Sequence, residues 1–209
     1  MLGGRQSDGS AEPGQPGSVA THIARAAARL FASRGYDATS VREIVEAAGV
    51  TKPTLYYYFR SKEALGQALV HDALSRLSDE MLERLRGESG PVAGLAAMIQ
   101  VKLDFCVEDP DRARFFYALF FGPLATGLAA EIAPICDRMD AVFAEGVRRV
   151  VEAGIVPPDR AESFTAALNG MIVISTVEFL YRGRELGPGV ARRIVDDLLG
   201  GFGVPGTWE

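Results

Sequence analysis

Residues Thr39 to Leu65 read TSVREIVEAAGVTKPTLYYYFRSKEAL, and this stretch decides how the rest of the chain is read. Ser40 is placed to cap a short helix, and Glu43 three residues later completes a capping box. Val41, Ile44, Val45 and Ala48 follow as an apolar stripe at helical spacing. Gly49 suits the left-handed backbone at that helix's end. Thr51 is the next cap, and Pro53 falls in the first turn of a second helix, where amide protons have no partner within the helix. Leu55 and Phe59, four apart, face inward, whereas Lys52, Thr54, Tyr56 and Tyr57 project elsewhere. Ser61 caps a third helix, with Glu63 in its favourable first turn. Two short helices about the tight turn Ala48-Gly49-Val50 make a helix-turn-helix, a motif that sends its second helix into the DNA major groove.

Working outward, Ile23, Ala27, Leu30 and Phe31 repeat as one buried helical face that Gly35 ends. The resulting three-helix domain, residues 18–66, is near the minimum size that buries a core and leans on the rest of the chain for stability. Residues 1–17 are rich in Gly, Ser, Pro and Gln, lack apolar periodicity, and read as a disordered tail without a secretory signal. Residues 67–209 form a separate body. Net charge is −5 over 209 residues, which fits a nucleic-acid binder only once it is divided. Residues 1–62 hold eight Lys/Arg against five Asp/Glu, while residues 63–209 hold fourteen against twenty-two. The basic N-terminal part supplies local attraction to phosphates, and the acidic body argues against indiscriminate coating of DNA.

The pattern Leu30-Phe31, Gly35-Tyr36, Thr39, Ile44, Ala48-Gly49-Val50, Thr51-Lys52, Thr54-Leu55-Tyr56, Phe59 and Ser61-Lys62-Glu63-Ala64-Leu65 resembles the DNA-binding domain of the tetracycline-repressor (TetR) family of bacterial regulators. The resemblance is gapless and covers residues 20–66, roughly a quarter of the chain. Beyond it, only length and helical character match. It implies that Arg42 and the helix from Thr51 to Tyr57 face the groove. Arg42 and Lys52 would donate to guanine edges, Pro53 and Thr54 would touch thymine methyl groups, and Tyr56 would reach a base or sugar. Thr39, Ser40, Tyr57, Tyr58 and Lys62 would hold phosphates. Tyr58 reads equally well as a structural tyrosine on the domain's flank. Pro53 stands where family members often have Gly, which stiffens the helix start.

Downstream, turn signals divide the body into helices near 62–86, 91–108, 111–121, 125–153, 159–184 and 188–202, and no segment alternates with the period of two that strands need. The fold class is all-α. Phe105, Phe115, Phe116, Tyr117, Phe120 and Phe121 lie within seventeen residues. Such a stripe is core for any single residue, but Phe115-Phe116 and Phe120-Phe121 face more than one direction on a short helix. Some of them line a cavity or a partner surface. A ligand site built from Phe105, Phe116, Phe120, Met139 and Phe143 is expected, with Asn169, Thr176 and Glu178 among the few polar groups; because a buried carboxylate needs a partner, the alternative for Glu178 is the dimer interface or rim. Cys106 and Cys136 read as small buried hydrophobes, with no flanking basic residue to activate either thiol.

Residues 159–184 present a broad apolar face that includes Met171 and Ile174, and Val190, Ile194, Leu198 and Phe202 repeat at every fourth residue. Both faces can pack on their own chain's core. The resemblance instead implies a four-helix dimer interface from the last two helices of each subunit, matching two-fold operators. His22 and His71 lie on different helices, and no metal-ligand spacing, phosphate loop or nucleophile elbow is present. The chain is expected to be no enzyme and to need no cofactor or metal. No run of eighteen uncharged apolar residues is expected to span a membrane. The combined expectation is a cytoplasmic homodimer that binds double-stranded operator DNA. It would act as a repressor released by a small apolar or aromatic effector. A DNA-binding dimer with no small-molecule effector, architectural or protein-regulated, is the alternative.

Overall fold

The structure is a computed structural model that describes residues 18–121 and 127–202. The expected tail over residues 1–17 lies outside them. All regular elements among the described residues are helical. They are α1 (Val19–Arg34), α2 (Val41–Ala48), α3 (Lys52–Phe59), α4 (Lys62–Gly87), α5 (Pro91–Glu108), α6 (Pro110–Phe121), α7 (Gly127–Glu152), α8 (Ala161–Arg182) and α9 (Val190–Phe202), with a single 3-10 turn at Pro158–Arg160 before α8. The chain divides into two compact units, with the boundary between Leu69 and Val70. It falls inside α4.

In the first unit, α1, α2 and α3 pack on one another. Ile23, Ala27, Phe31, Ile44, Leu55 and Leu65 are completely or almost completely buried, so each helix hides one stripe of its surface. Local chemistry fixes the helix ends. Ser18 Oγ accepts from the Thr21 amide at 3.1 Å. Ser40 and Glu43 form the reciprocal capping box, and the Arg34 guanidinium meets Glu43 at 2.7 Å to tie α1 to α2. Hydrogen bonds from the Ser40 amide and hydroxyl hold the Glu43 carboxyl below its ordinary pKa, with Arg34 adding to the effect. Gly49 closes α2 at φ 61°, a left-handed conformation that a side chain would strain.

The second unit centres on α5, which packs against α6, α7, α8 and α9. Its Leu95, Met98, Ile99 and Leu103 are buried, as are Phe115 of α6, Phe164, Leu168 and Ile172 of α8, and Val195 and Leu199 of α9. The Arg149 guanidinium of α7 donates to the Leu85 carbonyl in the last turn of α4, where helix carbonyls lack internal partners. Arg114 reaches from α6 to the Leu180 carbonyl near the end of α8, at 2.7 Å from Nη2. Helix α7 runs through Pro134, giving up one backbone hydrogen bond there.

Two expectations about α9 need correction. Residues 158–182 are, by length and composition alone, long and apolar enough to cross a membrane, a test that the core helix of a soluble protein also passes. Glu162 and Glu178 bound its uncharged stretch, which stays short of eighteen residues as expected. Ile194 and Leu198, expected at a dimer interface, are 4% and 7% exposed within their own chain. They belong to the core that α9 shares with α5 and α8. A repeat at every fourth residue marks a buried stripe but says nothing of which chain buries it. Val190 and Met171 are half-buried, while Ile174 is exposed.

Candidate nucleic-acid interface and ligand cavity

Helix α3 owes its two faces to spacing. Leu55 and Phe59 are buried and anchor it on the first unit's core, which turns Lys52, Pro53, Tyr56 and Tyr57 outward. Tyr57 is 75% exposed and Tyr56 44%, more than packing alone requires of rings this large. Thr51 caps the helix by accepting from the Thr54 amide at 3.3 Å, and the two hydroxyls lie 2.8 Å apart. Tyr58 is half-buried, its ring edge-on to Tyr57 at 5.0 Å between centroids. On α2, exposed Arg42 holds Glu46 through Nε at 2.8 Å. That pairing leaves the guanidinium on the surface and the far side of its fork available for other acceptors.

Beside α3 a groove of about 490 Å³ is lined by residues that include Thr39, Ser40, Val41, Tyr56, Ser61 and Lys62. Four residues expected at DNA (Thr39, Ser40, Tyr56 and Lys62) thus share one concavity, but two have turned inward. Thr39 is buried, its hydroxyl donating to the Gly35 carbonyl at 2.8 Å and its amide to the Tyr36 carbonyl at 3.2 Å. Neither donor is left for a phosphate, which corrects that expectation. The Lys62 ammonium donates to the carbonyls of Tyr36 and Thr39, each at 3.0 Å, and lies over the Tyr36 ring. It braces the α1–α2 connection from the start of α4. Burial, followed by the charges of Glu63 and Asp37, pushes the Tyr36 phenol up to about 12.

The second unit holds a cavity of about 470 Å³ between α5, α6, α7 and α8. Its lining includes Phe116, Phe120, Met139, Phe143 and Asn169, five of the six residues expected at a ligand. Phe105 is absent from the lining. It sits half-buried on α5, and its sequence neighbourhood in the aromatic cluster was no guide to its direction. Sequence reasoning missed Lys102, Tyr117, Cys136, Asp140, Gly170 and Val173, which complete the lining with Phe121. A signal existed. Lys102 is the only cation between Pro91 and Glu108, on a helix whose other positions are largely buried. Cys136, Met139, Asp140 and Phe143 fall on one face of α7 by their three- and four-residue steps.

Electrostatics at the cavity follow from burial. The Lys102 ammonium lies 5.1 Å from the Phe143 ring centroid, and desolvation lowers its pKa while Cys106, Asp140 and Cys136 nearby pull the other way. Burial pushes the Cys106 thiol up to about 11 and raises Cys136 as well, so both thiols stay protonated and poorly nucleophilic at neutral pH. The Tyr117 phenol is pushed up to about 12, again mainly by burial. Thr176, expected as a polar ligand contact, is buried and donates its proton to the Ile172 carbonyl at 2.9 Å. Glu178 pairs with Arg184 at 3.0 Å. Neither lines the cavity.

Comparison with known proteins places this geometry. Residues 23–69 match the model of the tetR family of bacterial regulatory proteins. The chain is similar to the HTH-type transcriptional repressor KstR2 of Mycolicibacterium smegmatis, 32% identical over 92 residues, covering 44% of this chain and 45% of that protein. It is also similar to the HTH-type transcriptional regulator RutR of Escherichia coli K12, 32% identical over 138 residues and 65% of each chain. The chain therefore spans between about half and two thirds of these curated relatives. Its fold is shared with AibR, solved in complex with isovaleryl coenzyme A and operator DNA, with a TM-score of 0.67, 22% identity, and coverage of 88% of this chain and 98% of that one. Residues 23–69 thus carry the pattern of the tetR family of bacterial regulatory proteins, and the all-helical body shares the fold of AibR.

Proposed function

We propose that this protein is a cytoplasmic, homodimeric repressor that binds a palindromic operator through α3 and leaves it when a small apolar or aromatic ligand fills the α5–α8 cavity. The observation that carries this reading is the pairing of two features in one chain. One is a helix that holds Lys52, Tyr56 and Tyr57 outward on a buried Leu55–Phe59 anchor. The other is a cavity of about 470 Å³ walled by Phe116, Phe120, Met139 and Phe143, within the size range of small-molecule sites. An exposed cationic and aromatic helix supplies phosphate attraction and base-edge contacts. Ligand binding in such a cavity acts on the reader by favouring one conformation over another. AibR, of like fold, takes both an acyl-coenzyme A and operator DNA, which supports assigning both kinds of ligand to this architecture.

In the dimer, α8 contributes the interface with Met171 and Ile174, and the exposed Tyr181 lies two turns beyond Ile174. Two-fold pairing presents two α3 helices to two half-sites. The test is selection of genomic fragments by the protein, followed by titration of the selected site with and without compounds that raise the protein's melting temperature. Recovery of a palindromic site from which such a compound displaces the protein supports the proposal. Failure to enrich any site overturns it.

A second reading keeps the DNA-binding dimer but replaces the small molecule by a protein partner. The exposure of Phe120 and Phe121, 51% and 59%, favours it, because large apolar rings at a surface commonly mark contact sites. A selected operator that no cavity ligand releases would support this reading over the first.

A further inference from the structure

Among the described residues lining the cavity, Lys102 is the one cation and Asp140 the one carboxylate. Every other lining side chain is neutral, and most are apolar or aromatic. Asp140 is exposed, whereas Lys102 is half-buried on α5, with its ammonium over the Phe143 ring. No carboxylate among the described residues lies within ion-pair distance of that ammonium. Its compensation from the described side chains is therefore a ring face and the fields of Cys106, Asp140 and Cys136. A ring face offsets only part of what a cation loses on leaving water, so an ammonium in this setting favours any anion that can reach it.

We infer that the cavity takes an amphipathic anion: an apolar or aromatic body carrying one oxyanion group, seated with that group on the Lys102 ammonium. This rests on the ligand-binding reading above and narrows it, since that reading asks only for an apolar body. The aromatic walls of Phe116, Phe120 and Phe143 hold the body, and the Asn169 amide at the cavity's edge offers a neutral donor to the same end of the ligand or to a substituent. Asp140 has the opposite effect. Its negative charge opposes the ligand's and excludes polyanions, so selectivity goes to a single acid group on a greasy frame.

Two fluorescent probes that differ by one group test this directly. 1-Anilinonaphthalene-8-sulfonate and N-phenyl-1-naphthylamine share a ring system, and only the first carries an anion. Both are titrated against the full chain without DNA. Gly170 lines the cavity and has open space where a side chain would grow. Gly170→Trp should therefore weaken both probes at least about tenfold, which assigns them to this site. Lys102→Met keeps the aliphatic stem and removes the charge. It should weaken the sulfonate at least about tenfold and change the neutral probe less than about threefold, the loss expected for one charge-assisted contact. Lys102→Arg should retain the preference, and Asp140→Asn should strengthen it.

An unchanged ratio of the two affinities in Lys102→Met and in Asp140→Asn overturns the proposal while leaving the ligand-binding reading in place. Binding of both probes unaffected by Gly170→Trp overturns that reading too, because the cavity then takes neither. A melting curve for each variant reports whether the fold is retained, and the probe ratio stays interpretable even if total binding capacity falls.

Discussion

The Lys62 ammonium stands 4.4 Å above the centroid of the Tyr36 ring, while its protons go to the carbonyls of Tyr36 and Thr39. A lysine at the start of α4 in a DNA reader reads naturally as a phosphate clamp, yet this one joins the first turn of α4 to the segment between α1 and α2. The two roles differ in their salt dependence. A lost phosphate contact reduces the slope of log affinity against log salt by about 0.9. A lost brace leaves that slope alone and lowers stability. Lys62→Met is expected to cost about 1 to 2 kcal/mol of unfolding free energy with little change in slope. Urea unfolding beside a salt titration of operator binding separates them, and a slope reduced by a full contact with unaltered stability would restore the clamp.

The outward side of α3 makes a different pair of predictions. Lys52 is exposed at the helix start and Tyr57 is the most exposed of the three tyrosines. Lys52→Ala should lose about 1 to 3 kcal/mol at one guanine position and less when that base is changed. Tyr57→Phe should weaken all operator variants by a similar, smaller amount, because a phosphate contact fixes register without reading sequence. Affinities across a set of single-base operator variants give the answer. A uniform loss from Lys52→Ala contradicts its assignment as a base reader.

How far the sequence could be read depended on how local each determinant was. The capping box at Ser40 and Glu43, the left-handed Gly49 and the inward Leu55 and Phe59 are set by neighbours within four residues, and all are found as the spacing predicts. Helix limits in the body followed from Gly and Pro punctuation to within about two residues. Thr39 was misread because its donors go to the Gly35 and Tyr36 carbonyls, and Lys62 because its ammonium goes to the Tyr36 and Thr39 carbonyls, contacts invisible to helical spacing. Ile194 and Leu198 show the same limit in the core. Lys102 was passed over because a lone cation on a largely apolar helix looks like a solvated residue until α6, α7 and α8 are seen around it.

The corrected picture of α8 and α9 separates two substitutions that the sequence treated alike. Ile174 is 51% exposed and Ile194 4%. Ile174→Glu puts a carboxylate in water in the free subunit, so it should leave monomer stability nearly unchanged and shift sedimentation from dimer to monomer. Ile194→Glu buries an unpaired carboxylate and should cost more than about 3 kcal/mol of stability. A dimer that persists with Ile174→Glu would move the interface off this face of α8.

Gly94 marks a second close tolerance. A Cβ built there would meet the Leu85 carbonyl oxygen at 2.6 Å and the Arg149 guanidinium at 3.3 Å, so α5 approaches the end of α4 more nearly than any side chain permits. Alanine raises helix propensity by up to about 1 kcal/mol in an exposed helix. Here the contact is with backbone, which cannot swing aside. Gly94→Ala is expected to destabilise the chain by about 1 to 3 kcal/mol, read as a lower urea midpoint at constant slope. Gly146→Ala is the control, because its nearest contacts are the Leu95 and Met98 side-chain ends at 3.0 to 3.5 Å. It should cost less.

The proposed switch carries a thermodynamic obligation that can be checked without knowing how the subunits move. Two α3 helices bind one operator face only when they lie about 34–36 Å apart, one turn of DNA. A cavity ligand that empties the operator must bind the released form better than the bound form, by about 3 to 5 kcal/mol for strong induction, since equal affinity for both shifts nothing. The coupling is reciprocal. Operator DNA must therefore weaken binding of that ligand by the same factor, roughly two to four orders of magnitude. Titrating a cavity-binding compound with and without saturating operator measures it. If the two affinities are equal, that compound is no inducer however tightly it binds. A full set of Gly170→Trp-sensitive ligands behaving so would leave the cavity without a part in release and give the second, protein-regulated reading the stronger claim.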